Sequence, residues 1–535
     1  MSAAAGGPVR RTPRHVPGAP RSVAEVLDGP LARCPDDEAL VGRHARYSYR
    51  RLDEVTDRAV AVLVGLGVRR GDRVAASLGN VPELVIAFLA AMRLGAVWVG
   101  CNRALAPAEK GELLRHSGAR VLVCDPDTAA ALSRGGGELP ALEHVVDCAH
   151  GERSSPWVRL VEAAEPDASW RAAAVDPFAP AAIAYTSGTT GTPKGVVHSQ
   201  HNLVVVGAVN KVWGGWRAVA RQGAVLPLTI LNVMALCPLL VFQLDGTCVC
   251  VDRRDPSGIA EWVRAERIES FSSVPTIVHD LVTSAEVAAE DLASLSHIGA
   301  GGALLAPALV DAYRRRFGKE VLAGYGSTEA PAVVTVQSPG EARPFSSVGR
   351  AMPHLSVTVR DDDGVELPDG EEGEICVAAT ESGPLAGVYS PFLGYWEDPD
   401  AGAEAVRQGV LHTGDLGHLE AGLLFFHGRR SEVIVRGGAQ VSPAQVEAAL
   451  REDVRVADAA VVGRPHERLG QEVVGFVQLA PGATVSGDEL RAACAERLAR
   501  YKVPARLHVV AGFERNAMGK IVKSTLKEPA DARPR

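Results

Sequence analysis

Apolar and polar positions follow two periods along this chain. Residues 49–66 place apolar side chains at helical spacing, and the polar turn Arg69-Arg70-Gly71-Asp72 follows. Residues 73–78 then read as a strand, and Pro82–Leu94 as a helix with Leu84, Val85, Phe88 and Leu89 inward. Residues 121–125 read as another strand with an acid, Asp125, at its carboxyl end. This βαβ rhythm predicts a parallel sheet covered by helices. It returns as a helix over 259–266, a strand over 270–273, a helix over 276–283, a strand over 296–298 and a helix over 307–317. After Val348 the texture changes to short strands rich in Asp and Gly, as in 357–359 and 374–378, which predicts a smaller β-rich unit. From about Glu432 a compact α+β pattern begins: a helix over 443–451, strands over 457–462 and 472–479, and a helix over 487–500.

One segment tests a water-soluble reading. Residues 222–244 carry no charge, which is long enough for a membrane span. They also hold Pro227, Thr229, Asn232, Pro238 and Gln243, a poor set for one helix in lipid, so a buried strand, a turn and a core helix are expected instead. The 535 residues exceed one ordinary core and predict at least two domains. A net charge of −8 leaves no basic footprint for nucleic acid. The Arg314–Arg316 group reads as a solvated helix face. Nine dispersed cysteines without a C-x-x-C pair, and no signal peptide, indicate reduced thiols in a cytoplasmic protein. Cys248 and Cys250, two apart, suit one face of a strand. Residues 1–20 read as a disordered leader and 529–535 as a frayed end.

The segment richest in chemistry runs Tyr185-Thr186-Ser187-Gly188-Thr189-Thr190-Gly191-Thr192-Pro193-Lys194-Gly195, directly behind the apolar run 181–184. Its glycines let backbone approach a ligand, its hydroxyls and amides donate, and Lys194 adds a cation, a combination suited to polyphosphate. It is not the common P-loop, in which Gly-Lys-Ser/Thr closes the motif; here Pro193 precedes Lys194 and Gly195 follows.

In this loop, and in an ordered set of further motifs between about residues 25 and 527, the sequence resembles the adenylate-forming superfamily of acyl-CoA synthetases, adenylation domains and luciferases. The resemblance implies an α/β fold: a large N-terminal adenylate-binding domain of parallel and mixed sheets (21–430, with its β-rich part at about 345–428) and a small mobile α+β domain (431–535). It implies that Thr186, Ser187, Gly188, Thr189, Thr190 and Lys194 hold the β- and γ-phosphates of ATP. The small-residue turn Gly301-Gly302-Ala303 would lie along the adenine and the acyl pocket. In Gly324-Tyr325-Gly326-Ser327-Thr328-Glu329, Tyr325 would stack on adenine beside Gly326, Thr328 touch the α-phosphate, and Glu329 hold Mg²⁺. Asp415, in Leu411-His412-Thr413-Gly414-Asp415, would take both ribose hydroxyls, since an ionised carboxylate accepts from two donors. Arg429 would also meet the ribose, Ser431 serve as the hinge, Gly437 and Gly438 line the thiol channel, and Lys520 bridge the acid and the α-phosphate.

The implied activity is that of an acyl-CoA ligase using ATP, Mg²⁺ and coenzyme A: a small apolar carboxylic acid is adenylated, then passed to the thiol with release of AMP. Two departures bear on this. Ser431 stands where the family usually has Asp or Lys, and Pro227-Leu228-Thr229-Ile230 replaces a family segment that usually carries an aromatic residue and a histidine. They leave open an enzyme of the second step only, fed with acyl-adenylate by a partner. Acyl transfer to a carrier protein, or an inactive nucleotide-binding regulator, are the other readings; monomer or homodimer is the expected assembly.

Overall fold

The computed structural model describes residues 12–149, 155–171, 173–186, 194–214, 220–341, 344, 346–437, 439–515 and 520–528. Four sheets organise them. In the first, the strands Glu320–Tyr325, His297–Ala300, Ser270–Ser273, Arg221–Ala224, Thr247–Cys250 and Glu38–Val41 run parallel in that order, and short antiparallel strands close both edges. In the second, Pro180–Thr186, Val97–Gly100, Arg73–Ser77, Val121–Cys124 and His144–Asp147 run parallel, while Lys194–Ser199 and Gly394–Tyr395 add antiparallel strands at one edge.

The expected βαβ rhythm is present because each apolar run is bounded by helix-starting chemistry. Ser48, Asp125 and Ser199 each accept a backbone N–H from the first turn of the helix that follows, satisfying donors left orphaned there. Pro82, Pro107, Pro256, Pro307 and Pro443 each begin a helix, where the missing N–H costs nothing. Helix Pro82–Leu94 is buried almost all round, so it sits inside the core cluster that also takes in helix Tyr49–Gly65. Its one buried cation, Arg93, is bonded to Asp53 and Asp57 and lies 4.8 Å over the Trp170 ring.

The uncharged stretch divides as expected into strand Arg221–Ala224, a turn, and a helical run over 231–243. That run widens into a π turn over Ala235–Leu239, which accommodates Pro238 without an N–H to donate. Among the described residues no helix is long and apolar enough to cross a membrane. All nine cysteines are free thiols, and Cys248 and Cys250 lie in one buried strand.

The third sheet is antiparallel: Leu355–Arg360, Gly373–Ala379, Val410–Glu420 and Val406–Arg407, with Leu423–Arg429 also on Val410–Glu420. The fourth joins Ala439–Val441, Ile434–Arg436, Gly470–Leu479 and Val456–His466, with Arg506–Val510 parallel to Gly470–Leu479. Helix Pro443–Arg451 packs on this sheet, and its cap Ser442 also donates to the His427 carbonyl of the third sheet.

Three local expectations need adjusting. The helix expected to run to residue 500 ends at Ala495, where the Leu498 and Arg497 amides turn back onto the Cys494 carbonyl. Arg316 is not part of a solvated face: its guanidinium bonds the Val282, Ser284 and Val287 carbonyls at the end of helix Pro275–Thr283. Residues 12–20, within the expected leader, pack against the body: Val16 is buried and His15 stacks on Phe178 at 5.1 Å. Residues 1–11 and the expected frayed end, 529–535, lie outside the described residues.

Candidate active site

Two paired strands of the second sheet deliver the phosphate-loop ends. Thr186 closes strand Pro180–Thr186 and Lys194 opens the returning strand, paired in register. Ser187, Gly188, Thr189 and Thr190 lie outside the described residues. Lys194 places its ammonium 4.9 Å from the centre of the Tyr395 ring, a cation–π contact. The Tyr395 hydroxyl in turn donates to Glu329 Oε1 at 3.0 Å. Lys194, Tyr395 and Glu329 thus form one chain of contacts across three separate segments.

The turn bearing Thr328 and Glu329 is held from behind. His198 Nε2 donates to the Thr328 carbonyl at 2.7 Å, and the Asn202 amide donates to its Nδ1 at 3.3 Å, so both ring nitrogens of a neutral imidazole are satisfied. Burial pulls the His198 pKa down to about 4, against the opposing influence of the Thr328 bond and Glu329. The Phe392 amide donates to the Glu329 carbonyl, and the Ala330 amide to Ser327 Oγ. Gly326 must be glycine here: a Cβ would lie 2.7 Å from the Ala332 carbonyl oxygen.

Asp415 lies on strand Val410–Glu420, just after Gly414, whose φ of +70° bends the strand. It is 4% exposed. Its Oδ2 accepts from the Tyr325 hydroxyl at 2.7 Å, and Arg429, its cross-strand partner, brings Nε to 3.5 Å from Oδ1. Oδ1 accepts no hydrogen bond from the described residues. Burial raises the Asp415 pKa, while Arg429, Tyr325 and Lys520 pull it down. Burial and the Asp415 charge keep the Tyr325 phenol well above its ordinary value, so it stays a donor. Tyr325 also faces Phe426 at 5.6 Å.

Lys520 reaches the same cleft from the C-terminal segment. Its side chain keeps exposed surface, yet its Cε lies 3.9 Å from where a Cβ on Gly302 would sit. Desolvation by the cleft walls lowers its pKa and Arg429 acts the same way, whereas Asp415, Glu432 and Glu329 oppose. Gly302, at φ +81°, makes the turn between Gly301 and the exposed Ala303. Ser431 sits exposed in the short turn Arg430–Glu432, next to the Arg430–Asp362 ion pair. Gly437, at φ +58°, turns between strands Ile434–Arg436 and Ala439–Val441 and bonds the Leu469 carbonyl; Gly438 lies outside the described residues.

The structure therefore brings Lys194, Gly302, Tyr325, Thr328, Glu329, Asp415, Arg429 and Lys520 into one neighbourhood, and leaves Gly437 at a turn of the C-terminal sheet. Sequence reasoning missed Tyr395, His198 and Asn202. A histidine inside the apolar strand Lys194–Ser199 was a usable signal, because a buried polar group needs partners. Tyr395 carried none, since its role depends on pairing with a strand about two hundred residues away.

Comparison with known proteins follows the same outline. A family model described as AMP-binding enzyme matches residues 28–396, and one described as AMP-binding enzyme C-terminal domain matches 445–520. The indoleacetate–CoA ligase of Aromatoleum aromaticum is 32% identical over 95% of this chain and 98% of its own. The long-chain-fatty-acid–CoA ligase FadD13 of Mycobacterium tuberculosis is 31% identical over 91% of this chain and 94% of its own. The crystal structure of ATP-bound MatB from Rhodopseudomonas palustris superposes with a TM-score of 0.83 at 26% identity, covering 94% of this chain and 97% of that one. The chain belongs to the AMP-binding enzyme family, in its acyl-CoA synthetase branch, and is an AMP-forming acid–thiol ligase.

Proposed function

We propose that this ligase adenylates an apolar carboxylic acid and transfers the acyl group to coenzyme A. The observation that carries the reading is Asp415: a buried carboxylate with one oxygen bonded to Tyr325 and the other, facing Arg429, accepting no hydrogen bond from the described residues. Such an oxygen is poised to accept from a ribose hydroxyl. Lys520, beside Gly302, then stands where the acid and the α-phosphate would meet.

The acid's oxygen attacks the α-phosphorus of ATP in line and pyrophosphate leaves, a step in which the protein mainly positions groups and offsets charge. Lys520 neutralises charge on the attacking carboxylate and the α-phosphoryl oxygens, and Lys194 that on the departing pyrophosphate. The Thr328 turn is held against drift by His198. Glu329 fits Mg²⁺: it is a partly exposed hard oxygen donor, oriented through Oε1 by Tyr395. Bound there, the ion would supply charge neutralisation at the phosphates. In the second step residues 431–535 turn about Ser431, withdrawing Lys520 and bringing Gly437 and Gly438 to the thiol channel. The thiol sulfur attacks the acyl carbonyl, its proton passes to solvent, and AMP departs. Relatives named for indoleacetate and long-chain fatty acids support an apolar acid.

The test is acid-dependent exchange of labelled pyrophosphate into ATP without thiol, across aromatic, alicyclic and fatty acids. Exchange is expected with at least one acid and should fall about 100-fold or more in Lys520→Ala. Thioester formation from supplied acyl-adenylate should survive that substitution. Undiminished exchange in Lys520→Ala would sink the assignment. Exchange with no acid, alongside thioester from supplied adenylate, would make this a second-step enzyme.

A further inference from the structure

Outside the cleft, Glu374, Cys376 and His412 bring three different metal-binding groups together on the third sheet. Cys376 on strand Gly373–Ala379 and His412 on strand Val410–Glu420 are cross-strand partners. Glu374 lies two residues from Cys376 and so shares its face. His412 Nδ1 lies 3.0 Å from Glu374 Oε2 and 3.6 Å from Cys376 Sγ, and all three donor atoms fall within 4.8 Å of one another. The thiol is buried, while the His412 and Glu374 side chains are 13% and 16% exposed, leaving a side open to solvent.

The 3.6 Å sulfur–nitrogen separation is that of a tetrahedron's edge, and the 3.0 Å nitrogen–oxygen contact needs to open by only a few tenths of an ångström to become another. A zinc ion bonded to sulfur at about 2.3 Å and to nitrogen at about 2.05 Å sets those two atoms about 3.6 Å apart. We propose that Glu374, Cys376 and His412 bind one soft divalent cation of the Zn²⁺ class, with water in the fourth position. Thiolate and imidazole select such an ion over Mg²⁺, which prefers oxygen alone. On binding, the metal–sulfur bond forms as the thiol releases its proton to solvent, and the His412 Nδ1 that faces Glu374 Oε2 gives up its proton to solvent while Nε2 takes one, so that the Nδ1 lone pair bonds the metal. Burial and the Glu374 charge push the Cys376 thiol up to about 12, against the pull of Arg360, Arg407 and Arg430, so the proton leaves only as the metal–sulfur bond forms. The anionic Cys376 and Glu374 then cancel the ion's double charge, so the arginines face a neutral cluster.

The site is connected to the cleft. The second Glu374 oxygen, Oε1, accepts from the Gly414 amide at 3.0 Å, one residue before Asp415. An ion on Oε2 therefore holds the same carboxylate that shapes the turn presenting Asp415. The inference does not depend on the adenylation reading, since it is tested by binding.

Full-length, metal-stripped, reduced protein is titrated with Co²⁺. One equivalent should give the intense visible bands of a four-coordinate ion together with a sulfur-to-cobalt band in the near ultraviolet, and Zn²⁺ should abolish both. Cys376→Ser should lose the sulfur band, and His412→Gln should weaken binding at least about tenfold. Because the chain has nine cysteines, the variants assign the band. X-ray absorption on the Zn²⁺-loaded wild type, which needs no variant to fold, should show one sulfur at about 2.3 Å. A spectrum without sulfur, or one unchanged in Cys376→Ser, would overturn the proposal.

Discussion

Asp415 is shut away from water and accepts a hydrogen bond from the Tyr325 hydroxyl. Two opposing effects set its charge: burial favours the neutral acid, and the Tyr325 hydrogen bond together with Arg429 favours the carboxylate. Tyr325→Phe removes one of the supports that keep it ionised while leaving the ring in place. A charge-assisted hydrogen bond of this kind is worth about 1.5–3 kcal/mol. AMP affinity measured by calorimetry should therefore fall about tenfold or more, and unchanged affinity would disconnect Asp415 from the nucleotide. At this scale the residue types were readable from their motifs, but their partners were not. Nothing local to Arg316 announces that it closes the end of another helix, because the carbonyls it binds lie about thirty residues away.

Strand Val97–Gly100 and the segment around Thr229 show the same division for elements. The strand was not singled out in the sequence, whereas Thr229 was, by the departure it marks in its segment. Their contact was not. A Cβ on Gly100 would lie 2.0 Å from the Thr229 carbonyl oxygen, so backbone meets backbone with no side chain able to yield. Gly100→Ala should destabilise the protein by about 1–3 kcal/mol in chemical denaturation. It should also raise the KM for the acid, because relief comes from displacing residues 227–230; wild-type stability and KM would show the segment to be looser than described. The helix starts at Pro82, Pro307, Pro443 and Gly487 were legible to the residue, since capping is a local transaction, whereas those at Pro256 and Pro275 come before the expected 259 and 276. Helix and strand ends were less so: the end at Ala495 depends on amides turning back within a loop.

For the molecule as a whole, three buried histidines govern acid stability. Burial pulls His198 and His201 from 6.5 to about 4, and His354 from 6.5 to about 3. His198 and His201 are further anchored through Nε2 to the Thr328 and Val388 carbonyls, while His15 and His201 add neighbouring positive charge for His201 and His354 respectively. Above pH 6.5 neither the folded nor the unfolded chain protonates these rings, and their contribution is level. As pH falls from about 6.5 to about 4 the unfolded chain takes up protons that the folded one refuses, so stability drops, by up to about 1.4 kcal/mol per pH unit for each ring. Denaturation midpoints recorded from pH 7.5 to 4.5 should decline across that window, and less steeply in His201→Asn. A flat profile would mean the rings are solvated.

The sequence by itself determined the order of the motifs, the βαβ rhythm, several of the helix starts and the chemical kind of each site residue, because each depends on neighbours a few positions apart. Family membership follows from the same motif order. Tertiary structure alone decided that Tyr395 joins Lys194 to Glu329, that His198 supports the Thr328 turn, that Lys520 meets Gly302, and that Cys376 lies opposite His412. Those pairs are 36 to more than two hundred residues apart, and sheet register and domain packing, not local preference, bring them within bonding distance.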